Sequence, residues 1–222
     1  MGPAATALLF QKIIDYTDAA VDAEHIHVLI DNRPSIPDRT HAIFHGDDTP
    51  ARCICESGER LIQAGAELIA IPCNTSHYFY PYIQKNLNVP VIHMLEETAM
   101  ECQKLGFRTV GVLATSGTKK TGIYEQALEK YGIQAVYPDE QAQEKLMSII
   151  YDYVKAGKFV ECDFFAAELK EMVKKGAQAF VLGCTELPLV FHDGDLGIRF
   201  VDSLDVLAKR AVEMAGYPLK QI

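Results

Sequence analysis

Short apolar runs rich in Val and Ile alternate along this chain with amphipathic helical stretches, and that alternation restricts the fold more than any other feature. The runs are HIHVLID (25–31), ELIAIP (67–72), VPVIHM (89–94), TVGVLA (109–114), IQAVYP (133–138), QAFVLG (178–183) and IRFVDS (198–203). Their nearly continuous apolar character suits strands covered on both faces. Between them lie helical patterns such as TALLFQKIIDY, CESGERLIQAG, EETAMECQKLG, EKLMSIIYDYVKAG and SLDVLAKRAVEMAG, several ending at a Gly that can cap them. Strands that alternate with helices imply parallel sheets joined by crossovers, so the expected class is α/β.

A weak internal repeat refines this reading. GAELIAIPCNT (65–75) and GAQAFVLGCTE (176–186) each run from Gly-Ala through an apolar strand to a cysteine eight residues after the Gly, and the two cysteines are 111 positions apart (184 − 73), half of the 222-residue chain. Two similar three-layer α/β lobes with mainly parallel sheets are expected. The first covers 1–95 plus 206–222 and carries Cys73; the second covers 96–205 and carries Cys184. Hinges fall near 94–97 and 202–205. Lobes of about 100 residues are an ordinary domain size, and an apolar content of 49% leaves ample material for two cores. In open parallel sheets, ligands bind at the C-terminal ends of strands, where both cysteines fall.

Charge and composition exclude several classes. Lys and Arg number 21 against 30 acidic residues, a formal net charge of −9, which argues against a nucleic-acid partner. No apolar run reaches the roughly 18–20 residues of a bilayer span, and no secretory signal is legible, so the expected location is cytoplasmic. Thiols stay reduced there, and the six cysteines are not counted as three disulfides. Cys53 and Cys55 lie two apart in a helical pattern and point away from each other. Cys102 and Cys162 sit in helical patterns where a packed thiol is ordinary. Cys73 and Cys184 remain. Each stands at a strand-to-helix turn, where free N–H groups and the helix dipole favour the thiolate.

A close C-x-x-C redox pair is absent, and a cysteine hydrolase needs one nucleophile with a base rather than two symmetric thiols. Inversion at a carbon does need two acid/base groups, one on each face. The residues that fit this idea also carry a family likeness. MGPAAT (1–6), DNRPSIPDRT (31–40), PCNTSH (72–77), LATSGT (113–118), YVKAG (153–157) and GCTELPL (183–189) occur in order across the chain. On these motifs the chain resembles the aspartate/glutamate racemase superfamily, and most nearly its aspartate racemase branch.

The resemblance implies a racemase without pyridoxal phosphate or any other cofactor or metal, with the active site between two pseudo-symmetric lobes. Cys73 and Cys184 match its two catalytic bases. Asn74, Thr75 and Thr185 match residues that hold the α-carboxylate and amino group, and Thr118 matches a further carboxylate-facing loop. Arg39 and Lys155 match basic residues that grip the side-chain carboxylate of aspartate; a structural pairing of Arg39 with Asp38 or Asp31 is the competing reading. The partner is then a small amino acid, aspartate or glutamate, and the assembly a homodimer. Glu186 either orients a thiol or water or stabilises a helix start. His77, one helical turn after Cys73, either assists proton traffic or, the preferred reading, is a packing or capping residue. Family members begin with a short apolar strand and a Gly-Gly turn ahead of the MGP motif, so the natural start is expected to lie upstream of Met1. Other open readings are a broad-specificity or glutamate racemase, a related maleate isomerase or decarboxylase, and a non-catalytic scaffold.

Overall fold

The computed structural model describes residues 2–220, and two units emerge from it: one holds the chain up to Glu97 together with the stretch from Leu204 onward, the other Thr98–Ser203.

Helices dominate the first unit: α1 (Pro3–Tyr16), α2 (Arg39–His45), α3 (Thr49–Gln63), α4 (Tyr80–Asn86) and the first turn of α5 (Met94–Lys104). Pro3 opens α1, where its fixed φ suits a helix and its missing N–H is not needed. Ala5, Leu9 and Ile13, spaced by four, form its buried face. Asp38 caps α2 by accepting the His41 N–H at 2.8 Å. Ile36, Ile54, Ile69, Ile71, Ile83 and Leu87 form the centre of this unit's core.

The expected strands at 25–31, 67–72 and 89–94 are not formed as ladders. Among the described residues, 26–30 make no backbone hydrogen bond, and pairing of the other two segments is reduced to one parallel bridge between Ile69 and Val91. The physical reason is a cavity of about 780 Å³, with Leu9, Ile13, Ile26, Val28, Ile69 and Ile71 in its walls. Residues 26–31 and 64–72 both border this cavity, and among the described residues the Ile69–Val91 bridge is the one parallel pairing these segments keep. A parallel ladder needs a hydrogen-bonding neighbour about 4.8 Å away, and across the cavity there is none.

The second unit carries the sheet. Its elements run β1 (Thr109–Ala114), α6 (Ser116–Thr121), α7 (Ile123–Glu129), β2 (Gln134–Val136), α8 (Glu140–Ser148), α9 (Ala166–Lys174), β3 (Ala179–Gly183) and β4 (Phe200–Asp202); α10 (Ser203–Met214) then leads into the first unit. The four strands are all parallel, in the order β2-β1-β3-β4. Val110, Val112, Leu113, Phe180, Val181 and Leu182 are buried at or below 1% exposure, which explains why both strands read as unbroken apolar runs. Phe165, Leu169, Met172 and Leu146 cover the sheet from the helical side. The register pairs Ala114 with Gly183, so β1 and β3 end side by side and their following turns emerge together at the C-terminal edge.

Candidate functional site

In the first unit, the segment ending at Pro72 turns into Cys73, and a 3₁₀ turn follows over Thr75–Phe79 with Asn74 as its cap. Asn74, Thr75 and Ser76 are buried although polar. Cys73 is partly exposed, and its N–H donates to the Ile71 carbonyl at 2.8 Å. His77 fixes this turn. Its Nε2 accepts the Met94 N–H at 3.1 Å, which leaves Nδ1 protonated to donate to the Cys73 carbonyl at 2.9 Å. The Ile92 carbonyl lies farther from Nε2, at 3.3 Å. Burial, with neighbouring His93 adding to it, pulls the His77 pKa down to about 4, so the ring is neutral and acts as a fastener rather than an acid.

Arg39, the first residue of α2, is buried, and its Nη1 donates to the carbonyls of Ile36 at 3.2 Å and Pro37 at 3.0 Å. Of the two nearby carboxylates, Asp31 binds Arg60 at 2.5 Å, and Asp38 accepts the His41 N–H as the cap of α2.

In the second unit, the turn after β1 is built by two threonines. Thr115 Oγ1 accepts the Thr118 N–H at 3.3 Å and lies 3.1 Å from the Thr118 hydroxyl, with Thr118 fully buried. Gln143 of α8 donates to the Ala114 carbonyl at 2.9 Å and holds the end of β1 in place. Ser203 does the same for β3, donating to the Leu182 carbonyl at 2.7 Å. Neither residue was singled out by its sequence; only their distance from the motifs in sequence hides them.

Cys184, Thr185 and Glu186 follow β3 and are all buried, and a 3₁₀ turn over Leu187–Leu189 comes next. Cys184 Sγ donates to Glu186 Oε2 at 3.0 Å, and the Thr185 hydroxyl approaches the same oxygen at 3.4 Å. Lys155 stands 4.0 Å from Glu186 Oε1, with its ammonium 4.1 Å from the centre of the Tyr151 ring. A π-helical turn over Ile149–Val154 presents this lysine, whose N–H reaches back to the Ile150 carbonyl at 3.0 Å. Burial first, then the charge and hydrogen bond of Glu186, hold the Cys184 thiol well above its usual pKa; Lys155 pulls the other way. Among the other thiols, burial pushes Cys102 up to about 12 and raises Cys55 and Cys162.

The structure therefore assembles Cys73, Asn74 and Thr75 on one turn of the first unit, with Arg39 on a separate helix start. It brings Cys184, Thr185 and Lys155 into contact through Glu186, and places Thr118 in the first turn of α6, just after β1. Among the described residues no group of three or more His, Cys, Asp or Glu side chains is arranged to hold a metal ion.

Each unit thus presents a thiol at the end of an apolar segment, beside hydroxyl or amide side chains and ahead of a 3₁₀ turn. The Asp/Glu/Hydantoin racemase family model matches residues 1–211, and the chain belongs to that family. It is 30% identical over 218 residues to a broad-specificity amino-acid racemase of Bacillus subtilis (strain 168), covering 96% of this chain and 93% of that one. Among solved structures, the aspartate racemase of Picrophilus torridus superposes with a TM-score of 0.83 at 30% identity, over 99% of this chain and 92% of that one. An aspartate racemase homologue of Pyrococcus horikoshii OT3 gives 0.80 at 26% identity, covering 96% and 95%. The α/β fold is that of these racemase structures.

Proposed function

We propose that the protein interconverts L- and D-aspartate without a cofactor, using Cys73 and Cys184 as its two acid/base groups. The observation that carries this reading is the repetition: a cysteine that ends an apolar segment, with donor side chains next to it, occurs once in each unit. One thiolate takes the Cα proton from one face, and the other thiol returns a proton to the opposite face. The Cα–H of an amino acid is very weakly acidic. The carbanion therefore has to be stabilised by donors aimed at the α-carboxylate, where charge accumulates, with water kept out. Asn74, Thr75, Thr118 and Thr185 fill that role in this scheme.

Arg39 and Lys155 recognise the side-chain carboxylate, Arg39 as a fork already oriented by two backbone carbonyls. Lys155 leaves Glu186 to do so. A second reading is supported by the 30% identity to a broad-specificity racemase: the same chemistry on several amino acids. Incubation with a panel of L-amino acids in the absence of pyridoxal phosphate, followed by chiral chromatography, separates the two. D-aspartate formed well ahead of all others supports the first, comparable rates across apolar and acidic substrates the second, and no D-product from any substrate rejects both.

The protein is further proposed to work as a cytoplasmic homodimer, the assembly that the family resemblance implies and the compartment expected from a sequence without a legible secretory signal. Among the described residues no helix is long and apolar enough to cross a membrane. Sedimentation velocity giving a mass near 24.6 kDa would contradict the dimer.

A further inference from the structure

Cys184 donates its thiol hydrogen to a carboxylate, and that carboxylate is not among the residues the motifs assign to catalysis. Glu186 Oε2 takes the thiol hydrogen at 3.0 Å, while its other oxygen lies 4.0 Å from Lys155 Nζ. The three groups form a chain of thiol, carboxylate and ammonium. They come from two elements, the turn after β3 and the π-helical turn before residue 155, so the chain is held by the fold rather than by one loop. The charged groups facing Cys184 are Glu186 on its own turn and Lys155 from the π-helical turn. Thr185 shares the Glu186 oxygen, and Tyr151 lies against Lys155.

We propose that Glu186 is a positioning residue that keeps the proton on Cys184 before turnover, so that Cys184 is the resting acid of the pair, with Lys155 setting how firmly the proton is held. A thiolate 3 Å from a carboxylate in a buried site is two like charges side by side, and the proton on sulfur removes that repulsion. Lys155 opposes this by favouring a negative charge nearby. A substrate carboxylate that draws Lys155 away leaves Glu186 without its cation and tightens the hold on the thiol hydrogen. Rotation about the Cβ–Sγ bond then re-aims that hydrogen at the substrate carbon. The assignment of an acid rests on the racemase reading, whereas the control of the proton by Glu186 does not depend on turnover.

The test is a pH titration by NMR of protein carrying ¹³Cβ-labelled cysteine, with the Cys184 signal assigned by its loss in Cys184→Ser. Wild-type Cys184 is expected to remain a thiol at pH 9. In Glu186→Gln the midpoint falls by about one unit or more, so the thiolate population at a given pH below the midpoint rises roughly tenfold. In Lys155→Met the midpoint moves the opposite way. The buried Cys102 signal, unchanged, reports that the variant is folded; if Glu186→Gln disturbs it, the sign of the Lys155→Met shift decides. A Cys184 midpoint that stays put in both folded variants, or moves up in Glu186→Gln, overturns the proposal. A protein that shows these shifts and yet racemises nothing would sink the functional reading and leave the role of Glu186 standing.

Discussion

Gly183 stands between the sheet and the thiol, and adding a single methyl group there tests whether the strand ends are packed as tightly as the geometry implies. A Cβ at this position would lie 2.9 Å from Tyr124 Cε2, 3.1 Å from Ala114 Cβ and 3.1 Å from the Leu113 carbonyl oxygen. None of the three can retreat easily. The Leu113 oxygen is backbone in a paired strand. Ala114 Cβ has no rotamer to change. Tyr124 is fully buried and hydrogen-bonded to Ser203 and Thr98, with burial driving its phenol far above the usual range. Overpacking a close-packed core costs about 1–3 kcal/mol, and a site with three rigid neighbours belongs in the upper half of that range. For a chain of 150–250 residues each kcal/mol lowers Tm by about 2–4 °C, so Gly183→Ala is expected to melt about 4–12 °C lower. Because the displaced residue precedes Cys184, turnover should fall with it. Differential scanning calorimetry reads the first effect. A Tm within about one degree of the wild type would refute the packing argument, since overpacking on this scale moves it by several degrees.

Three further outcomes follow from the same structure. His77 has a folded-state pKa of about 4 against an ordinary 6.5, so the unfolded chain takes up its proton first and stability is lost as pH falls through that window. The loss between pH 7 and pH 4.5 is about 2–3 kcal/mol, and urea unfolding at the two pH values should show that much less loss in His77→Gln. Arg39→Met should raise KM for aspartate about 10- to 100-fold, the loss of a charge-assisted hydrogen bond, with little effect on an apolar substrate; an equal loss for both would remove Arg39 from side-chain recognition. Cys73→Ser and Cys184→Ser should each lower kcat by about 10²–10⁴, the range of one acid/base group, while circular dichroism stays unchanged. Full activity in either variant removes that cysteine from the reaction.

The sheet of the second unit was legible because its central strands, β1 and β3, are buried on both faces. β1 matches the TVGVLA run end to end, and β2, β3 and β4 lie inside their runs. The equally apolar runs of the first unit do not become strands, because apolar character specifies burial, whereas a ladder also requires a neighbour at hydrogen-bonding distance. Helix α2 escaped the periodicity because only Arg39 and Ala42 of its seven residues are buried. Both motif cysteines were legible from the repeat, whereas the four-residue spacing of His77 pointed also to proton traffic, and only its bonds to the Cys73 carbonyl and the Met94 N–H show it fastening the turn. The Lys155–Glu186 contact was not. The two residues are 31 positions apart, and only the π-helical turn, which leaves no periodic mark in sequence, brings them together. Gln143 and Ser203 were hidden for the same reason: each holds a strand end through a carbonyl, and a carbonyl carries no sequence signal.

The two-thiol mechanism is tested most directly by the fate of the Cα hydrogen during the first few per cent of conversion. L-aspartate in heavy water, with the protein free of pyridoxal phosphate, is followed by chiral separation and mass spectrometry of each enantiomer. With one group removing the proton and a second, solvent-exchanged thiol supplying its replacement, the D-aspartate formed carries deuterium at Cα while the remaining L-aspartate keeps its proton. D-aspartate that retains the original proton, or L-aspartate that gains deuterium as fast as D-aspartate appears, would mean that a single group serves both faces and would contradict the assignment of Cys73 and Cys184.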